Sequence, residues 1–152
     1  MEELKKFLIE AKKQTYANAS IDKLPSTRIA SNDYEYKKGD LTYHDTYFGG
    51  INFMGCEIVY QNNIPLWGMN YYGRTLDETL SEEAMDASLR PALMKVEENI
   101  ELPIRGPKEF KNKEYTYHFE TKGNIECFEG TETICKQEKK IYELKCHGGK
   151  IK

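Results

Sequence analysis

The sequence predicts an α+β protein: a curved, mainly antiparallel sheet of about seven strands, an N-terminal helix and a central helical region interrupted by proline. Three observations carry this. Apolar residues recur with a period of two in 33–72 and in 114–147, and at helical spacing in 1–17 and 75–99. Turn-forming residues separate these blocks. Residues 1–152 read as a single domain, a length at which about two-thirds of the chain's surface can be buried without covalent staples.

The elements follow in order. Leu4, Phe7, Leu8, Ala11 and Thr15 share one face of a helix, and Lys5, Lys6, Lys12 and Lys13 cover the remainder. Residues 18–32, small, polar and holding Pro25, form a surface connection; a lid over a site and an ordinary crossing to the sheet are both open readings. Four strands should occupy 33–72. Gly39 turns the first hairpin and sets Tyr34 opposite Tyr43. Asn62-Asn63 turns the second. An unbroken register from that turn sets Met54, Cys56, Ile58 and Tyr60 against Tyr71, Met69, Trp67 and Pro65. The other face then pairs Phe53 with Tyr72, Gly55 with Asn70, Glu57 with Gly68 and Val59 with Leu66.

The helical region 75–99 has two capping-box starts, Thr75–Glu78 and Thr79–Glu82, and an inward stripe of Leu80, Ala84, Met85, Leu89, Leu93 and Val96. Pro91 should kink it or open a second segment. A turn-prone stretch, 102–107, leads to three strands in 114–147, with Phe128, Gly130, Glu132 and Ile134 on one face and Tyr142, Leu144 and Cys146 together on the last strand. No sequence repeat is evident.

Composition excludes several classes. The net charge of −3 gives no electrostatic pull towards nucleic acid or an anionic membrane. Segment 33–75, although rich in tyrosine, carries five acids against three bases, so it offers no basic groove for single strands. No run is long and apolar enough for a secretory leader or a membrane span. Four cysteines without a C-x-x-C pair support neither a disulfide framework nor a structural zinc, and no metal or cofactor is expected. These features place the protein in the cytoplasm with free thiols. The phosphate-loop, nucleophile-elbow, H-E-x-x-H and dinucleotide glycine motifs are missing from the sequence.

The candidate site rests on polar groups that break the strand pattern. In the unbroken register Glu57 and Asn70 lie on a face otherwise made by Phe53, Val59, Leu66 and Tyr72, and each faces a glycine that leaves space beside it. Tyr47 adds a further ring. The expected ligand-binding residues are therefore Tyr47, Phe53, Glu57, Asn70 and Tyr72. The alternatives for Glu57 are a solvated face or a structural pair with Arg74 or Arg105. Asp45 and Glu132 are phased with apolar residues and could share acid–base work with Glu57, although structural roles are favoured for both. The pairs His118–Cys127 and Cys146–His147 are not expected to be catalytic.

The block YHDTYFGGINFMGCEIVYQNNIPLWGMNYYGRT, followed by SLRPALM, IRGPKEF and LKCHGG, resembles an uncharacterised bacterial family of domains of unknown function. Some members of that family lie behind a helix-turn-helix in proposed transcriptional regulators. The resemblance extends over nearly the whole chain; it implies a bacterial source and a stand-alone copy of the domain, and brings no catalytic residues with it. The function expected is small-molecule binding or sensing. The alternatives are a small enzyme using Glu57 for acid–base chemistry, and a homodimer formed through a face of Trp67, Met54, Ile58, Met69 and Tyr71.

Overall fold

In the computed structural model, which describes every residue but Ile100, helix α1 (Glu2–Lys13) precedes four strands: β1 (Asn32–Lys38), β2 (Leu41–Gly49), β3 (Phe53–Gln61) and β4 (Ile64–Thr75). Helix α2 (Glu82–Leu93) and a single 3-10 turn (Val96–Glu98) precede four more: β5 (Glu109–Asn112), β6 (Tyr115–Asn124), β7 (Cys127–Lys136) and β8 (Lys139–Lys150). All eight form one antiparallel sheet in the order β1-β2-β3-β4-β8-β7-β6-β5. The added strand is β5, four residues too short to show an alternation of its own.

The sheet is two meanders joined where β4 pairs with β8, and each meander is preceded by its own helix. The halves correspond closely, at an offset of 75 residues (from Glu57 to Glu132). Asn62 and Asn63, turning β3 into β4, have φ of 51° and 65°; Gln137 and Glu138, turning β7 into β8, have 46° and 68°. A register shift follows Val59 in one hairpin and Ile134 in the other. The extra residues are Leu66 and Ile141, whose carbonyls each accept from the opposite half: Ile151 N–H to Leu66 at 2.9 Å and Leu76 N–H to Ile141 at 2.8 Å. Tyr71 and Cys146, equivalent positions, pair directly, so an approximate two-fold axis passes between them. The two hairpins share only Phe53/Phe128, Gly55/Gly130, Glu57/Glu132 and Gly73/Gly148, which is why the repeat does not show in the sequence.

The register shift corrects the expected pairing. The Asn62-Asn63 turn is as expected and Tyr60 does meet Pro65, but beyond the bulge Glu57 meets Met69 and Val59 meets Trp67. One inserted residue exchanges the faces of everything after it in a strand. The result is the more favourable burial: Trp67, Met69 and Tyr71 turn inward, while Asn70 and Tyr72 turn out. Trp67 is fully buried, stacks on Phe128 and donates Nε1–H to the Ile125 carbonyl at 2.9 Å. Burying such a side chain contributes about 2–3 kcal/mol. The dimer face expected around Trp67 is therefore not formed, since Trp67, Met69 and Tyr71 belong to the core while Met54 is exposed. The first hairpin differs similarly: Tyr36 faces Tyr43, and Tyr34 faces Asp45.

Both helices cover one face of the sheet, α1 over β1 and β2 and α2 over β5 and β6. Helix α1 stops at Lys13 and buries Leu4, Phe7, Leu8 and Ala11 as its spacing predicts. Helix α2 begins later than either capping box: Ser81 is its N-cap, and its hydroxyl accepts from Ala84 N–H. Pro91 starts no new segment; it sits in the last turn, two residues before the end of the helix. The connection 18–31 is tied down at Asp33, whose carboxylate accepts from Thr27 Oγ1, Ser31 Oγ and Thr46 Oγ1 at 2.5–2.7 Å and from Thr27 N–H at 3.0 Å. Burial pushes this carboxyl up, but the hydrogen bonds of Ser31, Thr27 and His44 outweigh it and hold it well below the usual carboxylate range.

Candidate functional site

Between the end of α1 and helix α2, above strands β2 to β4, the helices leave a small cavity of about 70 Å³, part of it open to solvent. Four aromatic rings line it: Tyr16, just after α1, Tyr47 on β2, Phe53 on β3 and Tyr71 on β4. The rings are mutually braced, with Tyr47 edge-on to Phe53 at 6.4 Å and Phe53 edge-on to Tyr71 at 6.0 Å. Asp45, Asp86, Arg90 and Arg105 supply the polar wall, and Lys23 and Glu82 stand at the exposed rim. A smaller space adjoins it, lined by Lys12, Tyr43, Glu57 and again Tyr16, Asp45 and Arg105.

Asp45 is the centre of this arrangement. It is 4% exposed and its cross-strand partner is another buried acid, Glu57. Tyr71 Oη donates to Asp45 Oδ1 at 2.6 Å; among the described residues no hydrogen-bond donor reaches Oδ2. Burial and the neighbouring charge of Glu57 push the Asp45 carboxyl up to about 7, against the smaller opposing effects of Tyr71, Lys12 and Arg105. The Tyr71 phenol is itself pushed well above its ordinary value, by burial and then by Asp45, so it remains a donor. Gly55 makes the contact sterically possible: a Cβ there would lie 2.5 Å from Tyr71 Oη and 2.4 Å from the Thr46 carbonyl.

The other charges are already matched. Lys12 Nζ sits 2.5 Å from Glu57 Oε2, with both side chains buried. Arg105 makes a two-point contact to Glu132, Nε to Oε2 at 2.9 Å and Nη2 to Oε1 at 2.7 Å. Tyr117 and Tyr142 donate to the same carboxylate at 2.7 and 3.0 Å. Arg90 pairs with Asp86 at 3.0 Å, lies over the Tyr16 ring and donates to the Tyr16 carbonyl.

The expected site residues thus divide. Tyr47, Phe53 and Glu57 lie on the inner face, the first two on the main cavity and Glu57 on the adjoining space. Asn70 and Tyr72 are exposed on the opposite face, carried there by the bulge. Neither structural partner suggested for Glu57 is the one found, since Arg74 pairs with Glu143 and Arg105 with Glu132. Lys12, expected on the solvated side, continues the Leu4, Leu8 spacing at four residues, a signal that marks it as inward. Asp86 and Arg90 are likewise four apart on a helix, and Arg105 lies in 102–107, a buried segment rather than a surface turn.

Residues 45–151 match a family described as Domain of unknown function (DUF5680), and the chain belongs to that family. The matched region starts at Asp45, so it holds the sheet side of the cavity and α2, while Lys12, Tyr16 and Lys23 lie before it. Neither a curated protein nor a solved structure matches the chain significantly.

Proposed function

We propose that this protein is a small-molecule binding module whose ligand occupies the cavity between α1 and α2. One observation supports this above the others: Asp45, 4% exposed and with no protein donor on Oδ2 among the described residues, lies among four aromatic rings at a cavity open to solvent. Apolar walls with a few convergent polar groups are the general construction of such sites. Tyr47, Phe53 and Tyr71 form the apolar walls in this reading, and Asp45 orients the ligand. Glu57 acts through Asp45. A bacterial source and a role in sensing, suggested by the resemblance to regulator-associated domains, and a cytoplasmic setting, suggested by the sequence composition, suit a module of this kind. Native mass spectrometry of gently purified protein tests the proposal. A retained small molecule is expected, and Phe53→Ala should weaken its retention; a clean apo mass overturns tight binding.

A second reading is favoured by the pairing of Asp45 with Glu57. Two adjacent buried acids, one of them titrating near neutrality, can exchange protons with a substrate at physiological pH. Turnover with a pH midpoint near 7, displaced in Glu57→Gln, would select an enzyme over a sensor.

A further inference from the structure

Resting on the binding reading, we propose that the ligand is a small planar nitrogen cation, such as an amidine or a protonated heteroaromatic amine, whose N–H groups meet Asp45 and whose ring lies against Tyr47, Phe53 and Tyr71. The charges around the cavity carry this. Arg105 is matched by Glu132, Arg90 by Asp86 and Lys12 by Glu57. At the rim, the exposed Lys23 and Glu82 carry opposite charges. Asp45 is left as the one buried acid at the cavity without a cation of its own among the described residues, and a buried carboxylate is costly until one is supplied.

The aromatic walls point the same way. Cations already rest on three of the rings: Arg90 at 4.2 Å from the Tyr16 centroid, Lys23 at 5.6 Å from Tyr47 and Arg105 at 6.0 Å from Tyr71. Electron-rich ring faces attract positive charge, most strongly where water is excluded. Two of these cations are anchored by buried or half-buried acids. Lys23 is exposed, and its ammonium donates to the side chain of Asn32 at 2.8 Å, with no acid paired to it among the described residues. It occupies the Tyr47 ring as a displaceable stand-in for an incoming cation.

The binding is linked to protons. Asp45 is faced by Glu57 from β3, Tyr71 from β4, Lys12 from α1, Arg105 from the segment before β5, and Tyr34 from β1. Tyr43 and Tyr47 approach it from its own strand, and α2 presents Asp86 and Arg90 already paired. A cation favours the ionised carboxylate, so affinity rises with pH through the range in which Asp45 loses its proton. With that midpoint near 7, the competent fraction increases about tenfold between pH 6 and pH 8.

Benzamidine and benzoate, planar probes of opposite charge, test the assignment by titration calorimetry and by amide chemical-shift changes at millimolar concentration. Benzamidine is expected to bind with shifts centred on β2–β4, about tenfold more tightly at pH 8 than at pH 6, and to lose most of its affinity in Asp45→Asn. Lys23→Ala, on the exposed rim where folding is not at stake, should tighten binding by about two- to fivefold. Failure of benzamidine to bind, equal affinity at both pH values, or unchanged affinity in Lys23→Ala overturns the inference. Benzoate binding in place of benzamidine removes the cation and leaves the binding module standing. Binding of neither probe, with a clean apo mass, removes both.

Discussion

Glu57 and Glu132 occupy the same place in the two halves of the sheet, yet their surroundings differ. In the second half Glu132 is met by a bidentate guanidinium and two phenols, four donors for one carboxylate, and its cross-strand neighbour is Phe119. In the first half Glu57 is met by one ammonium and the neighbouring Tyr43 phenol, and its cross-strand neighbour is a second acid, Asp45. The glycines behind them diverge in step: the space before Gly55 admits the Tyr71 hydroxyl, and that before Gly130 the Phe119 ring and the Cys146 thiol. The same fold position holds a saturated structural cluster in one half, and in the other a paired acid set beside Asp45, which lacks a cation of its own. Unmet polar capacity at a cavity is where a ligand finds its contacts, and the proposed binding site accordingly centres on the first half.

Substitutions can break or sharpen this contrast. The largest effect is expected from Glu132→Gln, which leaves Arg105 buried without its counter-charge; denaturant unfolding should show a loss of about 3–5 kcal/mol. Glu57→Gln should cost less, about 1–3 kcal/mol, because it removes the repulsion with Asp45 along with the Lys12 pair. The same variant should lower the Asp45 pKa from about 7, read by carbon-detected titration of the carboxyl; an unchanged value would sink the coupling argued here.

Acidity gives a third test with two opposite signs. The folded pKa of Asp45 lies above its unfolded value, so the native state holds a proton that the unfolded chain has released. Its contribution therefore falls as pH rises from about 4 through 7, and Asp45→Asn should abolish that slope in the melting temperature. Asp33 is the reverse case. Its folded pKa is depressed, so its contribution is present above about pH 4 and is lost on acidification. The smallest effects belong to the exposed face: Asn70→Ala and Tyr72→Ala should change stability by no more than about 0.5 kcal/mol and leave cavity binding intact.

Much of the architecture was legible because period and turn chemistry are local. The alternation in β2 and β3 placed Asp45, Tyr47, Phe53 and Glu57 on one face, where the structure has them. What failed was non-local. The bulge at Leu66 is favoured by the burial of Trp67, Met69 and Tyr71 together with a hydrogen bond from the far end of the chain, Ile151. No window around Asn62-Asn63 contains that information. The internal repeat was hidden for a related reason: backbone geometry at the turns and bulges persists while nearly every side chain has changed. Asp86, Arg90 and Arg105 reach the cavity only through tertiary packing.

The seam between β4 and β8 sets the order in which the chain can assemble. Every other strand pair joins neighbours in sequence through a short link, so each meander can zip from its own turns at little loop-closure cost. The seam must close a much longer loop before its ladder repays anything, and the cavity is lined from both sides of it. Each half can therefore gain most of its strand pairing from local turns, whereas the cavity is complete only once the two halves are joined along the seam.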